Sequence, residues 1–314
     1  MTTSGFRRAL VTGGAGFIGS HLVHALLDRG LAVTVLDDLS VGRRENVPPE
    51  ARLVRGDVRD PAVVDEALDA VDCVFHEAAV VSVRASVDAF HRDADVNLMG
   101  TLTILGRMAA RGVRRAVLAS SMAVYADSAD AAPLGESHPT APLSPYGIAK
   151  LAAEHYWRLL CRRLEIPAIV LRYFNTYGPR QTLTPYVGVI TIFINRLLAG
   201  EPPVVFGDGA QRRDFVHVHD IVAANLLALE SDVSDRVFNV GTGRATSVNE
   251  IAHALTALLA PGLAPVHAPA QPGEMQNAVA DITAIRGALG FEPAYPKIAF
   301  EDVIGYWRAT AARG

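Results

Sequence analysis

The fold of this chain is decided by residues 8–27, which read RALVTGGAGFIGSHLVHALL. The stretch begins with an apolar run, continues with four glycines between positions 13 and 19, and ends in an apolar pattern with helical spacing. A buried strand that enters a helix through a glycine-rich turn is typical of the first unit of a doubly wound, parallel α/β sheet. The sequence therefore predicts a strand at 8–12 and a helix at 17–29.

Strand and helix patterns alternate through the rest of the first half of the chain. Strands that are apolar on both faces and separated by helices indicate a parallel sheet that helices cover on both sides. Short apolar runs predict further strands at 32–37, 52–55, 73–76, 116–119 and 168–172, and periodic segments predict helices at 61–68, 97–111 and 145–164.

The pattern changes after residue 174, where glycine and proline become frequent and the strand and helix signals become shorter. We predict a Rossmann domain at residues 1–174 and a smaller C-terminal α/β domain, which binds the substrate, at 175–314. The apolar run at 237–240 is predicted to return to the first sheet. A cleft between two such domains is where we expect a ligand.

Composition excludes several classes of protein. The chain has 314 residues, of which 50% are hydrophobic, and this excludes intrinsic disorder. The formal net charge is -4, so no basic excess indicates a nucleic-acid partner. Two cysteines cannot form a disulfide framework, and no apolar run approaches the roughly 18 residues of a membrane span. We therefore expect a cytoplasmic protein that binds neither nucleic acid nor membranes.

The glycine turn has the spacing of a dinucleotide-binding loop. Gly14, Gly16 and Gly19 fit the pattern G-x-G-x-x-G, Gly13 extends it, and Asp37 ends the next predicted strand. Glycine lets the backbone approach a pyrophosphate, the helix behind it offers free N–H groups, and the acid accepts hydrogen bonds from the adenosine ribose. The charge of Asp37 favours NAD over NADP, which carries a further phosphate. A tight strand–helix turn without a ligand is the alternative.

A second motif, SPYGIAK at residues 144–150, places Tyr146 and Lys150 four positions apart. On a helix that begins near Pro145, both side chains lie on one face. A nearby ammonium group favours the phenolate form of tyrosine, which makes it a better base. Ser121 ends the preceding predicted strand and can hydrogen-bond the same substrate hydroxyl. We predict Ser121, Tyr146 and Lys150 as catalytic residues; two exposed residues on a helix are the alternative for the tyrosine and lysine.

With these motifs, the sequence resembles the extended short-chain dehydrogenases/reductases, and among them the nucleotide-sugar epimerase/dehydratase family. The resemblance implies a Rossmann fold, NAD as cofactor, a nucleoside-diphosphate sugar as substrate, and a homodimer that pairs two helices of each subunit. It extends over most of the chain. The matching stretches are 12–19, 37–46, 56–58, 76–79, residue 97, 120–125, 144–150, 171–180, 207–220 and 239–243.

The resemblance also implies roles for individual residues around the cofactor. The loop after the third strand would contact the adenine, the loop after the fourth strand would line the NAD channel, and Tyr173 would lie near the nicotinamide. The complete predicted cofactor site consists of Gly13, Gly16, Phe17, Ile18, Gly19, Asp37, Asp38, Ser40, Gly42, Asp57, Val58, Ala78, Ala79, Asn97, Tyr146, Lys150 and Tyr173.

On the substrate side, the resemblance implies that Asn175 and Arg213 hold the diphosphate. Two positions depart from the family pattern. Gln271 stands where the family often has an arginine for the diphosphate, and Met122 stands where a small residue follows the catalytic serine. Two phenylalanines would flank the base or its ribose, and a glutamate would bind the uridine ribose. The predicted substrate site is Ser121, Met122, Asn175, Val189, Phe206, Arg213, Phe215 and Glu274.

The reaction is predicted from the two residues after Ser121. The dehydratases of the family carry an aspartate and a glutamate there, whereas this chain has Met122 and Ala123, which cannot transfer protons. We therefore expect inversion at C4 of a hexose of the UDP-glucose/UDP-galactose type, through a transient 4-keto sugar. The alternatives are a 4,6-dehydratase, a 4-keto reductase, an epimerase of another nucleotide sugar such as UDP-glucuronate or UDP-N-acetylglucosamine, and a non-catalytic dinucleotide-binding sensor.

Two pairs of potential metal ligands are not expected to bind a metal. Cys73 and His76 lie at odd spacing on one predicted strand, so they face opposite ways. His217 and His219 share a strand face, but no further cluster of cysteine or histidine accompanies them. We therefore predict no metal site.

Overall fold

The computed structural model describes residues 5–128, 132–184, 188–270 and 275–311. Strands and helices alternate along the first half of the chain, as the sequence predicts. The strands in chain order are β1 (Arg8–Thr12), β2 (Ala32–Asp37), β3 (Arg52–Arg55), β4 (Cys73–His76), β5 (Arg115–Ser121), β6 (Ala168–Tyr173), β7 (Asn175–Tyr177), β8 (Val204–Phe206), β9 (Arg212–Arg213), β10 (Phe215–His217), β11 (Arg236–Val240), β12 (Thr246–Ser247), β13 (Val266–Ala268) and β14 (Asn277–Ala278).

Helices flank the strands, and several of them begin at a residue whose side chain caps the first turn. Ser144 accepts a hydrogen bond from the Gly147 N–H, with Pro145 in the first turn, so the helix of the SPYGIAK motif begins where the motif predicts. The helices are α1 (Phe17–Asp28), α2 (Pro61–Ala67), α3 (Val83–Asp88), α4 (Phe90–Ala94), α5 (Gly100–Met108), α6 (Pro145–Arg163), α7 (Val189–Leu198), α8 (Val218–Glu230), α9 (Val248–Leu259), α10 (Thr283–Leu289) and α11 (Glu301–Ala311), with 3-10 turns at Arg44–Asn46 and Met122–Val124 and a π-helical segment at Asp95–Met99.

Seven strands form one parallel sheet with the order β11-β6-β5-β4-β1-β2-β3. Strand β1 pairs with β2 on one side and with β4 on the other, so the direction of the connections reverses between β1 and β4. Open α/β sheets bind ligands at such a switch point, outside the carboxyl ends of the strands. The doubly wound Rossmann fold predicted from the sequence is confirmed.

Apolar side chains cover both faces of this sheet. Leu22 and Leu26 of α1 pack on one face together with Ile221 of α8. Ile104 of α5 and Trp157 of α6 pack on the other. All five are 0% exposed, and burying each large side chain contributes about 1.5–3 kcal/mol. This packing fixes where the strands end, and therefore where the site lies.

Short sheets and the helices α7 to α11 follow β6 in the described part of the chain. Strand β7 pairs with β10, β9 lies between β12 and β14, and β8 pairs with β13. Helices α7, α9 and α11 share a separate apolar core with these strands. Strand β11 leaves this region and pairs in parallel with β6 at the edge of the central sheet.

The helix predicted at 97–111 begins earlier. Helical structure starts at Phe90, passes through the π-helical segment and ends at Met108. Polar residues made the sequence of this extension resemble a loop, but its Asp93 accepts a hydrogen bond from Asn97 at 3.0 Å. None of the helices in the described part of the chain has the length and apolar composition that a bilayer span requires.

His219 does not share a strand with His217. Strand β10 ends at His217, whose ring accepts a hydrogen bond from the His219 N–H at 3.3 Å and so caps α8. His217 also contacts the Asp302 carboxylate at 2.8 Å. Within the four described ranges, no three His, Cys, Asp or Glu side chains are grouped to hold a metal ion.

Candidate active site

The glycine turn connects β1 to α1 at the switch point of the sheet. A Cβ on Gly13, whose φ is 68°, would lie 2.8 Å from the backbone of Ala78. A Cβ on Gly19 would collide with the Gly13 carbonyl oxygen. Helix α1 starts after Gly16 with no side-chain cap and no acid in its first turn. The free N–H groups of Phe17, Ile18 and Gly19 therefore form an anion site that fits the pyrophosphate of a dinucleotide.

Asp37 lies beside this turn at the end of β2. Its carboxylate accepts hydrogen bonds from the Ala15 N–H at 2.9 Å and the Leu39 N–H at 2.8 Å. Gly42 lies against it, since a Cβ there would be 2.9 Å from Asp37 Oδ1. Burial raises the pKa of Asp37 and these hydrogen bonds lower it. Each carboxylate oxygen keeps a lone pair for a ribose hydroxyl.

Two other predicted cofactor-site acids, Asp38 and Asp57, bind groups of nearby residues. Asp38 Oδ1 accepts hydrogen bonds from the N–H of Ser40 at 2.9 Å and from its hydroxyl at 2.6 Å. The Arg59 side chain binds Asp57 and lowers the pKa of that carboxyl. Val58, which follows, is 7% exposed and packs against Gly100.

Asn97 holds the loop after β4. Its side chain accepts from the Val80 N–H at 2.8 Å and donates to the Val80 carbonyl at 3.0 Å. Asn97 is only 1% exposed, so its contacts hold the loop that contains Ala78 and Ala79 from the interior. The Ala78 N–H donates to Thr12 Oγ1 at 3.1 Å, which ties that loop to β1.

The three predicted catalytic residues come together at the carboxyl edge of the sheet. Ser121 ends β5, and its interaction with the Tyr146 hydroxyl lowers the pKa of that phenol. Lys150, one turn along α6 from Tyr146, donates from Nζ to the Ala119 carbonyl at 3.0 Å. Tyr146 is 6% exposed and Lys150 is 4% exposed. The spacing in SPYGIAK therefore places both side chains in one buried centre.

Burial shifts the pKa values of Tyr146 and Lys150 in the directions that favour their uncharged side chains. Burial raises the pKa of Tyr146 to about 12, against the lowering effect of its hydrogen bond with Ser121. Burial lowers the pKa of Lys150 to about 8, and the charges of Glu77, Asp93 and Glu154 act in the opposite direction. The phenolate form needs a positive charge nearby, which the Lys150 ammonium group carries.

A carboxyl group at the same edge of the sheet, that of Glu77, is not among the site residues predicted from the sequence. Glu77 follows β4, and its Oε1 accepts a hydrogen bond from the Tyr173 hydroxyl at 2.8 Å. Asn225 of α8 donates to the same hydroxyl at 2.7 Å. Burial raises the pKa of Glu77 to about 7. The signal available in the sequence was one acid placed directly after an apolar strand.

The predicted diphosphate residues lie in the short sheets. The Arg213 guanidinium donates to the carbonyls of Arg212 at 3.0 Å and Gln276 at 3.3 Å. Asn175 Oδ1 is buried without a hydrogen-bond partner, which suits a residue whose partner is a ligand. The Asn175 N–H donates to the carbonyl of Asp214, the residue after Arg213, at 3.0 Å. This backbone hydrogen bond links Asn175 to the segment that carries Arg213.

Asp214 organises this region and is also missing from the sequence prediction. It is 0% exposed. Its carboxylate accepts from the N–H groups of Thr242 at 2.8 Å and Gly243 at 2.9 Å, and from the Ala280 N–H at 3.2 Å. Charged hydrogen bonds of this kind are among the stronger ones in proteins. Asp214 therefore sets the position of the strand that carries Arg213.

An arginine from the first half of the chain reaches the predicted base site. The Arg84 guanidinium of α3 lies over the Phe206 ring, 5.6 Å from its centre. Phe215 is 5% exposed and belongs to the apolar core that α7 and its Val189 help to form. Met122 opens the 3-10 turn after Ser121. The predicted residues Glu274 and Gln271 lie outside the described residues.

Known proteins resemble this chain over most of its length. Residues 9–241 match the NAD dependent epimerase/dehydratase family. The UDP-glucose 4-epimerase of Mycolicibacterium smegmatis is 37% identical over 91% of this chain and 93% of its own length.

Solved structures match over nearly the whole chain. The UDP-glucose 4-epimerase of Thermotoga maritima, solved with UDP-glucose, gives a TM-score of 0.91 at 38% identity, covering 97% of this chain and 99% of that one. The Thermus thermophilus UDP-glucose 4-epimerase, in complex with NAD, gives 0.87 at 37% identity, covering 96% and 99%. With its glycine turn, its buried Ser-Tyr-Lys centre and these matches, the chain belongs to the NAD dependent epimerase/dehydratase family.

Proposed function

We propose that this protein is an NAD-dependent epimerase that inverts C4 of a nucleoside-diphosphate hexose of the UDP-glucose/UDP-galactose type, through a transient 4-keto sugar. The buried centre of Ser121, Tyr146 and Lys150, next to a glycine turn shaped for a dinucleotide, carries the proposal. Bound NAD supplies the group that accepts hydride from C4 and returns it. Relatives named for this activity match more than nine-tenths of the chain.

The side chains of the centre handle the proton. Tyr146 removes the proton of the C4 hydroxyl as hydride leaves that carbon, and returns it when the hydride comes back to the other face. Ser121, which ends β5 and interacts with the Tyr146 phenol, orients the same sugar hydroxyl. The ammonium group of Lys150 stabilises the phenolate. General acid–base catalysis of this kind contributes about 10²–10⁴-fold in rate.

The two residues after Ser121 do not supply the groups that elimination of water requires. A dehydratase needs an acid for the departing hydroxyl and a base for the neighbouring carbon, beyond the tyrosine. The 3-10 turn after Ser121 presents Met122 and Ala123 at those positions, and neither side chain exchanges protons. This supports epimerisation over 4,6-dehydration.

The substrate side of the crevice supports a nucleoside diphosphate. Arg213 on β9 and Asn175 on β7 lie in two different short sheets, which the hydrogen bond from the Asn175 N–H to the Asp214 carbonyl connects. Both side chains suit the diphosphate. Phe206, with Arg84 stacked on it, offers an aromatic surface to a base. We place the substrate between the proposed domains 1–174 and 175–314, and assign Glu274 to the ribose.

We also propose a homodimer in the cytoplasm. Helix α6 and the segment before α5 expose large apolar side chains, among them Ile148 at 58%, Leu159 at 48% and Met99 at 49%. Such neighbouring apolar groups mark interaction surfaces. Both cysteines are free and buried, which suits a reducing compartment.

A panel of UDP-, TDP-, GDP- and ADP-hexoses, separated by chromatography after incubation with the protein, tests the proposal. We expect conversion between UDP-glucose and UDP-galactose at equal mass. If the protein converts only another nucleotide sugar, that sugar is its substrate in place of UDP-glucose and UDP-galactose. A product lighter by one water would show that the reaction is dehydration and not epimerisation.

A further inference from the structure

His76 is a buried histidine that the proposed proton transfer does not use. It ends β4 at the switch point of the sheet, in register with Thr12, which ends β1. His76 is 1% exposed, and its ring stacks on that of Trp157 with the ring centres 5.7 Å apart. The glycine turn follows Thr12 and the loop of Ala78 follows His76, so the ring adjoins both chain segments that are predicted to contact the cofactor.

Both ring nitrogens of His76 have a hydroxyl partner. Nδ1 lies 2.8 Å from Thr12 Oγ1, and Nε2 lies 2.9 Å from Thr101 Oγ1 of α5. The Ala78 N–H donates to the same Thr12 oxygen at 3.1 Å, and Thr101 Oγ1 donates to the Asn97 carbonyl at 2.7 Å. These five residues form a hydrogen-bond network, the His76 network, from the loop after β4 to the π-helical segment.

The two ends of the His76 network decide which ring nitrogen carries the proton. A backbone N–H can only donate, so Thr12 Oγ1 accepts from Ala78 and gives its own proton to His76 Nδ1. A carbonyl can only accept, so the Thr101 proton goes to Asn97 and Thr101 Oγ1 accepts from His76 Nε2. The ring is therefore neutral, with its proton on Nε2. Burial lowers the pKa of His76 to about 3, which agrees with a neutral ring.

Two further contacts connect the His76 network to the walls of the crevice. The Asn97 side chain holds the Val80 backbone with both its oxygen and its nitrogen. A Cβ on Gly13 would lie 2.8 Å from the Ala78 backbone, so the glycine turn already touches the loop after β4. The network therefore reaches this loop at Ala78 and, through Asn97, at Val80.

We propose that His76 is a positioning residue for the cofactor: as a neutral imidazole with its proton on Nε2, it joins the Ala78 N–H to the Asn97 carbonyl and so holds the loop after β4 against the glycine turn. The inference rests on the proposed function for the place of NAD in the crevice. His76 itself touches no reacting atom, because it acts through Thr12 and Thr101.

A matched pair of variants separates the hydrogen bonds from packing against Trp157. Thr12→Val keeps the volume and removes the hydroxyl, whereas Thr12→Ser keeps the hydroxyl and removes a methyl group. Each holoenzyme is mixed with excess carbon-14 NAD, and the exchange rate of bound NAD is measured. We expect exchange about tenfold faster in Thr12→Val, whose former partners stay buried without a hydrogen bond, and little change in Thr12→Ser. Equal exchange rates in the two variants overturn the proposal.

The same pair of changes at Thr101 tests the network far from the glycine turn, and carries the test if the Thr12 variants do not fold. NAD exchange should be faster in Thr101→Val than in Thr101→Ser, and equal rates contradict the proposal. Thr103→Val is the matched control, because Thr103 Oγ1 makes the same kind of bond on the same helix, to the Met99 carbonyl at 3.0 Å. Its exchange rate should equal that of the unchanged protein.

The position of the ring proton gives a readout that packing alone does not set. The chain has ten histidines, and NMR of holoenzyme labelled with nitrogen-15 in the histidine rings shows each tautomer. The signals that move in both Thr12→Val and Thr101→Val belong to His76. We expect a protonated Nε2 and an unprotonated Nδ1 from about pH 6 to about pH 8. A proton on Nδ1, or a ring that titrates in this range, overturns the proposal.

None of these measurements needs turnover, so they separate this inference from the proposed function. Faster NAD exchange in both valine variants of a protein that epimerises no nucleotide sugar would overturn the function and keep the role of His76. Normal turnover with unchanged NAD exchange in both valine variants would overturn the role of His76 and keep the function.

Discussion

The two sides of the ligand crevice are built by different physical means. On the cofactor side, long parallel strands end at one edge, and glycines stand where a Cβ would meet the backbone. On the substrate side, sheets of two or three short strands are held by side-chain hydrogen bonds that converge on Asp214. The cofactor side therefore depends on the absence of side chains at the glycines, and the substrate side depends on polar contacts. Substitutions that put a side chain into the glycine turn should therefore abolish function, whereas substitutions of polar side chains that contact a ligand should reduce it by degrees.

The largest effect is expected in the catalytic centre, where the cofactor side meets the sugar. Tyr146→Phe keeps the ring packing and removes the proton-transfer group, so kcat should fall about 10²–10⁴-fold. Bound NAD, measured after acid extraction, should be unchanged. Tyr306→Phe, on α11 away from the centre, is the control. Normal turnover by Tyr146→Phe would mean that another group is the base.

The next effect tests steric exclusion in the glycine turn. Gly19→Ala puts a Cβ against the Gly13 carbonyl, and overpacking of this kind costs about 1–3 kcal/mol. We expect loss of most bound NAD and a lower melting temperature. Gly106→Ala, where nothing lies within 4 Å of the new Cβ, is the matched control on α5. It should stabilise by about 1 kcal/mol. Equal NAD content in both variants would contradict the steric account.

A graded effect is expected on the substrate side. Arg213→Lys keeps the charge but loses the forked donor geometry that suits a diphosphate. KM for the nucleotide sugar should rise about tenfold, equivalent to about 1.4 kcal/mol, with kcat little changed. Arg212→Lys, at the exposed neighbouring position, is the control. A fall in kcat at constant KM would place Arg213 in the chemistry rather than in binding.

The smallest effect concerns cofactor choice. Asp37→Asn keeps the side-chain shape and removes the charge that disfavours a 2′-phosphate. Preference for NAD over NADP should shrink severalfold, since a hydrogen bond to a charged group contributes about 1.5–3 kcal/mol and the amide retains part of it. Competition of NADP against NAD, measured by calorimetry on cofactor-free protein, reports the ratio. An unchanged ratio would show that Asp37 only shapes the loop through Ala15 and Leu39.

Sequence patterns were sufficient where structure depends on local spacing. The strands at Arg8–Thr12 and Cys73–His76 have the predicted bounds, and SPYGIAK implied the shared face of Tyr146 and Lys150. Pattern reasoning failed where a role depends on distant partners. Glu77 takes its environment from Tyr173, 96 residues away.

For Asn97 the structure adds a contact that the sequence does not show. The resemblance implies that Asn97 lines the NAD channel, and its amide also satisfies the Val80 backbone. The contact between Arg84 and Phe206 likewise joins two regions that no local pattern connects.

The central claim is that one centre oxidises and re-reduces C4 without exchanging that hydrogen with water. Mass spectrometry of UDP-galactose incubated with the purified protein in D2O, without added NAD, tests this directly. The account predicts UDP-glucose of unchanged mass with no deuterium on carbon. A product that has lost water or gained carbon-bound deuterium would contradict it.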